Sequence, residues 1–326
     1  FTFGNGDTVS VIIYNWALGG GSGSTAAENV EVMDENFEMP QLSRTRRIWI
    51  YLPPDYETSG QRYPVLYMHD GQNLFDASTS FAGEWNVDEI LNELFEEGYK
   101  VPIVVGIDNG GEERINEYTP WPHALYGGGD GDLYMQFIIE TLKPYIDANY
   151  NTLPERDYTA IIGSSLGGLV SHYGALKYQD VFSKAGIYSP SYWFSDSVWS
   201  FTHDAGHQDA MRVYLMCGGA EGNETINEML DMQDSLLANG FSEDELSLTV
   251  IPGGGHNEAL WSQDFGDAYK WLFASYANEI NEPDRHHIIR LFPNPAGQML
   301  TLPNDFPERC DSVEVIDMLG NQVLKL

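Results

Sequence analysis

The feature that most constrains the fold is an alternation. Short runs of strand-forming residues, several of them continuously apolar, are separated by longer amphipathic stretches. Strands are expected at Arg47–Leu52, Pro64–Met68, Pro102–Ile107, Tyr158–Ile162, Lys184–Tyr188, Arg212–Met216 and Leu246–Ile251. Helices are expected near Trp85–Glu97, Leu133–Ala148, Leu166–Lys177, Glu224–Asn239 and Glu258–Tyr276. A strand that is apolar along its whole length needs cover on both faces, which is the condition inside a parallel sheet. The alternation therefore predicts an α/β fold with a mostly parallel central sheet and helices on both faces.

Both ends of the chain have a different texture. Val9–Trp16 is rich in strand formers and runs into GGGSGS at 19–24, a flexible linker by composition. Residues 1–28 are accordingly expected to be the remnant of an upstream module and its linker. Beyond Glu282-Pro283, LFPNPAGQMLTL and SVEVIDMLGNQVLKL predict short strands with an Asn-Pro turn and a Leu-Gly-Asn turn. That leaves 29–281 as the main domain and 282–326 as a small β-rich tail. The chain opens on Phe1 with no charged n-region or apolar h-region, and it stops after an apolar run. It reads as a mature chain or a fragment, truncated at its end.

Composition narrows the function. Hydrophobic residues at 42% and aromatics at 13% supply a sizeable core. The net charge of −33 argues against duplex DNA or an anionic membrane as partner, since both demand a basic face. No run approaches the ~18 apolar residues of a membrane-spanning helix. Such acidity suits a soluble protein outside the cell or in salty surroundings. Two acidic stretches, Glu84–Glu97 and Glu221–Glu245, read as solvated helix faces.

Cofactor signals are weak. Cys217 and Cys310 form neither a disulfide framework nor a metal spacing, and both read as free thiols. His203 and His207 have an i, i+4 spacing but are expected in a polar loop without a third ligand. Gly127–Asp132 is a single acidic glycine loop without the repetition of calcium-binding solenoids. No strand is followed by the G-x-G-x-x-G of a dinucleotide site. No metal or organic cofactor is implied.

The strongest chemical signal is Gly163-Ser164-Ser165-Leu166-Gly167, a G-x-S-x-G between a predicted strand and a predicted helix. Small residues there let the chain turn sharply and lift the Ser165 hydroxyl clear of the sheet. The turn also brings the Leu166 amide to a helix start, where it can donate to an oxyanion. A serine nucleophile needs a base, and after such an elbow an acid and then a His follow along the chain. His172, His203, His207, His256, His286 and His287 all come after Ser165. His256 stands out, because it leaves the last predicted strand in a Pro-Gly-Gly-Gly loop and precedes a helix; His172 reads as packing, and His286-His287 as exposed. The acid should leave the preceding strand. Glu221, after Cys217-Gly218-Gly219-Ala220, is the leading candidate and Glu224 the next, with Asp196 and Asp231 behind them. Arg114, Glu117, Tyr118, Trp121 and Trp193 are expected in loops at strand ends, where ligands bind in α/β sheets. The two tryptophans could stack on a sugar or an aromatic acyl group, or could equally cap the core.

The stretches YPVLYMHDGQNLFD, GIDNGGEERINEYTPW, IIGSSLGGL, CGGAE and GGGHNEALW resemble, in that order, the esterase branch of the α/β-hydrolases. That branch holds carbohydrate acetyl and feruloyl esterases, enterochelin-esterase-like enzymes, esterase D relatives and the antigen 85 mycolyltransferases. The resemblance spans roughly residues 29–281. It implies an α/β-hydrolase fold with Ser165 as nucleophile, His256 as base and Glu221 as acid, where many members carry Asp. It also matches His69-Asp70-Gly71-Gln72 to the family's H-x-G segment, which makes the amide of Gln72 or a neighbour the second oxyanion donor and His69 a buried spacer. The tail resembles a type IX secretion sorting domain in Phe292-Pro293-Asn294-Pro295-Ala296 and in Asp317–Val323. That implies export to the outside or the cell surface, with the type IX machinery as partner. The expected activity is a serine carboxylic-ester hydrolase acting on an acylated carbohydrate or a siderophore ester. The alternatives are an acyltransferase of the antigen 85 type and a binding module that has lost activity.

Overall fold

Eight strands build one mixed sheet: β1 (Val30–Met39), β2 (Arg44–Tyr51), β3 (Val65–His69), β4 (Ile103–Ile107), β5 (Thr159–Ser164), β6 (Lys184–Tyr188), β7 (Arg212–Gly218) and β8 (Leu246–Ile251). Their order is β1-β2-β4-β3-β5-β6-β7-β8. The β1–β2 and β2–β4 pairings are antiparallel, and every pairing from β4 onward is parallel. The computed structural model describes residues 23–277, together with the backbone of Ser10–Ile12, Glu314–Ile316 and Gln322–Lys325.

The helices that matter below are α1 (Val87–Glu96), α2 (Arg114–Tyr118), α3 (Gly131–Phe137), α4 (Leu166–Lys177), α5 (Ser197–Ala205), α6 (Asn223–Ala238) and α7 (Glu258–Leu272). Every residue of β3, β4, β5 and β6 is buried, so these strands are covered on both faces, as their apolar sequences require. Helix α4 packs on β5 and β6 and is buried from Leu166 to Leu176, a helix inside the body with no polar face to give to water.

Residues 23–92 and 101–278 form one compact unit, which carries the large sheet. The second unit comprises the terminal segments and residues 93–100. In it Ser10–Ile12 pairs in parallel with Glu314–Ile316, which pairs antiparallel with Gln322–Lys325. The segment Phe292–Ala296, the expected Leu-Gly-Asn turn, Cys310 and His286-His287 lie outside the described residues.

Each expected strand is present to within a few residues. Strand β1 was not expected, because VEVMDENFEM leaves most of its positions at least partly exposed and pairs only with β2, so it lacks an apolar run. Arg114–Tyr118 is a short helix rather than a loop, and His203 lies in α5 rather than in a polar loop. The acidic stretches are not wholly solvated faces. Asp88 is fully buried, and the Glu221 side chain is only 3% exposed. Glu221 accepts hydrogen bonds that make its burial tolerable, and Asp88 accepts one, from the Ala27 amide to Oδ2.

Candidate active site

Strands β3 and β5 are neighbours, and the strands that follow each in sequence lie on opposite sides of the pair. Their carboxyl ends therefore form a topological switch point, where an α/β sheet opens a crevice. Asp70–Asn73 leaves β3 there, and Ser165 leaves β5.

Ser165 has φ 59° and ψ −120°, outside the regions an L-residue prefers, at a cost of about 1–3 kcal/mol. The surroundings enforce it: the Ser165 amide donates to Tyr188 O at 2.9 Å, and Ser165 O accepts from the amides of Leu169 and Ser191. Gly163 allows the close turn, since a Cβ there would stand 2.6 Å from Gly167 O and 2.7 Å from His69 Cδ2. His69 is thus a buried spacer beneath the elbow. Burial holds its imidazole neutral down to about 3, and Nδ1 meets Tyr134 Oη at 2.9 Å. The Leu166 amide is the first of α4, and the Gln72 amide belongs to the one-turn helix Gly71–Asn73. N–H groups at such positions have no partner within the helix.

The loops after β7 and β8 are bonded to each other: Gly219 N donates to Ile251 O and Ala220 N to Gly254 O, each at 2.8 Å. A Cβ on Gly218 would overlap Gly254 O, so glycine is what lets the loops touch. This contact brings Glu221 to His256, with Oε2 2.7 Å from Nδ1. Glu221 Oε1 accepts from Ser189 Oγ at 2.6 Å and from the Gly218 amide at 2.7 Å. Burial opposes the charge most, but the bonds from His256, Ser189 and Gly218 together hold the carboxyl below its usual range. Trp261 donates its indole N–H to Ser189 Oγ at 3.0 Å and stands edge-on to His256, with ring centroids 5.2 Å apart.

Ser165, His256 and Gln72 line one cleft of about 700 Å³, with Asp70, Arg114, Glu258 and Trp261 in its walls and Phe81 at its rim. Asp70 Oδ1 and Oδ2 accept from Arg114 Nε and Nη2 at 2.7 and 2.8 Å. Asn73 donates to the buried Glu258 carboxylate at 3.2 Å.

Other expected residues lie elsewhere. Trp121 packs its ring on Tyr173 and Phe201, and Trp193 is 57% exposed beside Tyr126 and Phe194; neither lines the cleft. Glu224, Asp196 and Asp231 are exposed. His172 is buried between Tyr192 and Thr202. His203 bonds Asn239 and His207 bonds Glu245, so the pair shares no ligand. Sequence reasoning missed Ser189, Ser191 (Oγ 3.3 Å from Ser165 Oγ) and Glu258. Ser189 follows β6 directly and Ser191 comes two residues later, and that placement at a strand's carboxyl end was the available signal.

The strand order, the parallel core and the sharp turn after β5 define an α/β-hydrolase fold. Residues 40–272 match the family described as “Putative esterase”. “Uncharacterized protein YbbA” of Bacillus subtilis (strain 168) is 32% identical over 241 residues, covering 70% of this chain and 92% of that protein. “Endo-1,4-beta-xylanase/feruloyl esterase” of Xylanibacter ruminicola (strain ATCC 19189 / DSM 19721 / CIP 105475 / JCM 8958 / 23) is 24% identical over 216 residues, 65% of this chain and only 27% of that one. Among solved structures, the enterobactin esterase FES from Shigella flexneri superposes with a TM-score of 0.62 at 18% identity, covering 77% of this chain and 61% of that one. The chain belongs to this esterase family and is a carboxylic ester hydrolase.

Proposed function

We propose that the chain is an exported serine esterase working through Ser165, His256 and Glu221. The 2.7 Å contact of His256 Nδ1 with Glu221 Oε2, beside a cleft that His256 and Ser165 both line, carries this reading. The carboxylate keeps Nδ1 protonated and leaves Nε2 as the base. Nε2 takes the Ser165 proton as Oγ attacks the ester carbonyl. The Leu166 and Gln72 amides hold the oxyanion, and His256 returns the proton to the departing alcohol. Water, activated by the same imidazole, then releases the acyl group.

The substrate is an acylated carbohydrate, with an acetyl or feruloyl group, or a siderophore ester. Relatives named for feruloyl and enterobactin esters support that range, and Phe81, 94% exposed at the cleft rim, offers an aromatic face to an aryl acyl group. Residues 282–326 serve as a partial type IX sorting domain, on the strength of the PNPA and D-x-x-G-x-x-V patterns. Hydrolysis is tested on acetylated xylan, feruloylated arabinoxylan, a triscatecholate trilactone and p-nitrophenyl esters, with wild type beside Ser165→Ala. Turnover of at least one class that vanishes in the variant is expected; equal rates in both would remove the mechanism. A chain lacking 282–326 is expected to hydrolyse normally yet remain inside a type IX-competent host, and normal export would remove the sorting role.

A further inference from the structure

Glu84, Asp88 and Glu89 each place a carboxylate oxygen within 4.8 Å of the other two. Asp88 is fully buried, and its Oδ1 has no hydrogen-bond partner. Glu89 Oε2 is likewise sealed from solvent without one. Leaving a buried acceptor unmatched costs about 1–3 kcal/mol, and more when it carries charge, so such oxygens call for a ligand that the protein itself does not supply. The remaining contacts anchor the cluster: Asp88 Oδ2 accepts from the Ala27 amide at 2.7 Å, and Thr25 Oγ1 donates to Glu84 at 3.0 Å.

We propose that Glu84, Asp88 and Glu89 bind one hard divalent cation of the Ca²⁺ type, which clamps residues 24–27 and the loop before α1 to the first turn of that helix. The donor set is all oxygen, which selects against zinc and the softer metals. Ca–O distances of 2.3–2.6 Å place any two ligands at most about 4.6–5.2 Å apart, whereas Mg²⁺ limits them to about 4.2 Å. The three oxygens lie within 4.8 Å of one another, inside the reach of a Ca²⁺ shell. Water completes the shell on the partly exposed side of Glu84 and Glu89. The competing arrangement is a proton shared between Asp88 and Glu89.

The site bears on the cleft. Glu84 ends the loop whose Phe81 and Ala82 line it, and the next residue, Trp85, packs on Trp261 with ring centroids 5.6 Å apart.

The probe is the metal alone. The full chain is stripped with EDTA, then titrated with CaCl₂ by calorimetry and by thermal unfolding. One Ca²⁺ per chain is expected, with a Tm rise of roughly 5–10 °C at a hundredfold excess over Kd. Glu89→Gln should weaken binding at least tenfold and abolish the shift, and Asp88→Asn gives a second reading if the first variant folds poorly. Two results overturn the site: no heat and no Tm shift up to about 10 mM Ca²⁺, well above the range of weak calcium modules, or variants that bind as tightly as wild type.

Discussion

Ser189 Oγ donates to Glu221 Oε1 across 2.6 Å and accepts the Trp261 indole N–H at 3.0 Å. The hydroxyl thereby ties helix α7 to the carboxylate that touches His256. Ser189 itself sits at φ 41°, a conformation that only surrounding contacts would maintain in a serine. Ser189→Ala removes a hydrogen bond to a charged acceptor, worth about 1.5–3 kcal/mol. The expected outcome is a kcat about ten- to a hundredfold lower with KM little changed, measured on a p-nitrophenyl ester. A folded variant with wild-type kcat would mean that Glu221 needs no such support.

Glu221 and Glu224 lie three positions apart in entirely different surroundings. Glu221 is 3% exposed and bonded to His256; Glu224 is exposed in the first turn of α6, where the helix dipole alone accounts for a carboxylate. Glu221→Gln should lower kcat by about 10²–10⁴-fold, and Glu224→Gln should change it by less than about threefold. Steady-state kinetics on the two variants checks this, and the reverse pattern would reassign the acid.

Two histidines are buried as neutral rings. Burial lowers both His69 and His172 to about 3. In the unfolded chain they take a proton near 6.5, so between those values the unfolded state binds more protons and stability falls as pH drops. Denaturant unfolding should show stability lost below about pH 6.5, at up to about 1.4 kcal/mol per pH unit for each ring. His172→Gln should flatten that slope by about half. An unchanged slope would show that other groups govern it.

Gly163→Ala would thrust a methyl 2.6 Å from Gly167 O, against backbone that cannot retreat without opening the elbow. A loss of about 1–3 kcal/mol is expected, read as a lower Tm. Wild-type stability would show that the elbow has slack.

The parallel half of the sheet was legible because strands buried on both faces must be apolar throughout; IVVGI in β4 could hardly be anything else. Strand β1 was not, because a long polar edge strand carries no such run. The site divides in the same way. Ser165, His256 and Glu221 sit in glycine-rich loops whose spacing follows from close backbone approach, and that spacing is visible in the letters. Ser189 and Asn73 act through contacts with residues far along the chain, such as Trp261 and Glu258. Their pairing depends on which strands become neighbours. The same holds for Asp88, whose acidic surroundings read as a solvated face until the fold closes over it.

The central claim is that Ser165 is the nucleophile, and covalent capture tests it most directly. The full chain is treated with a fluorophosphonate, and the labelled peptide is mapped by mass spectrometry while hydrolysis is followed in parallel. The account predicts one label per chain, on Ser165, with activity lost in proportion to labelling, and no label or hydrolysis in a folded Ser165→Ala variant. Hydrolysis at the wild-type rate by Ser165→Ala, or a label placed on another residue, would contradict it.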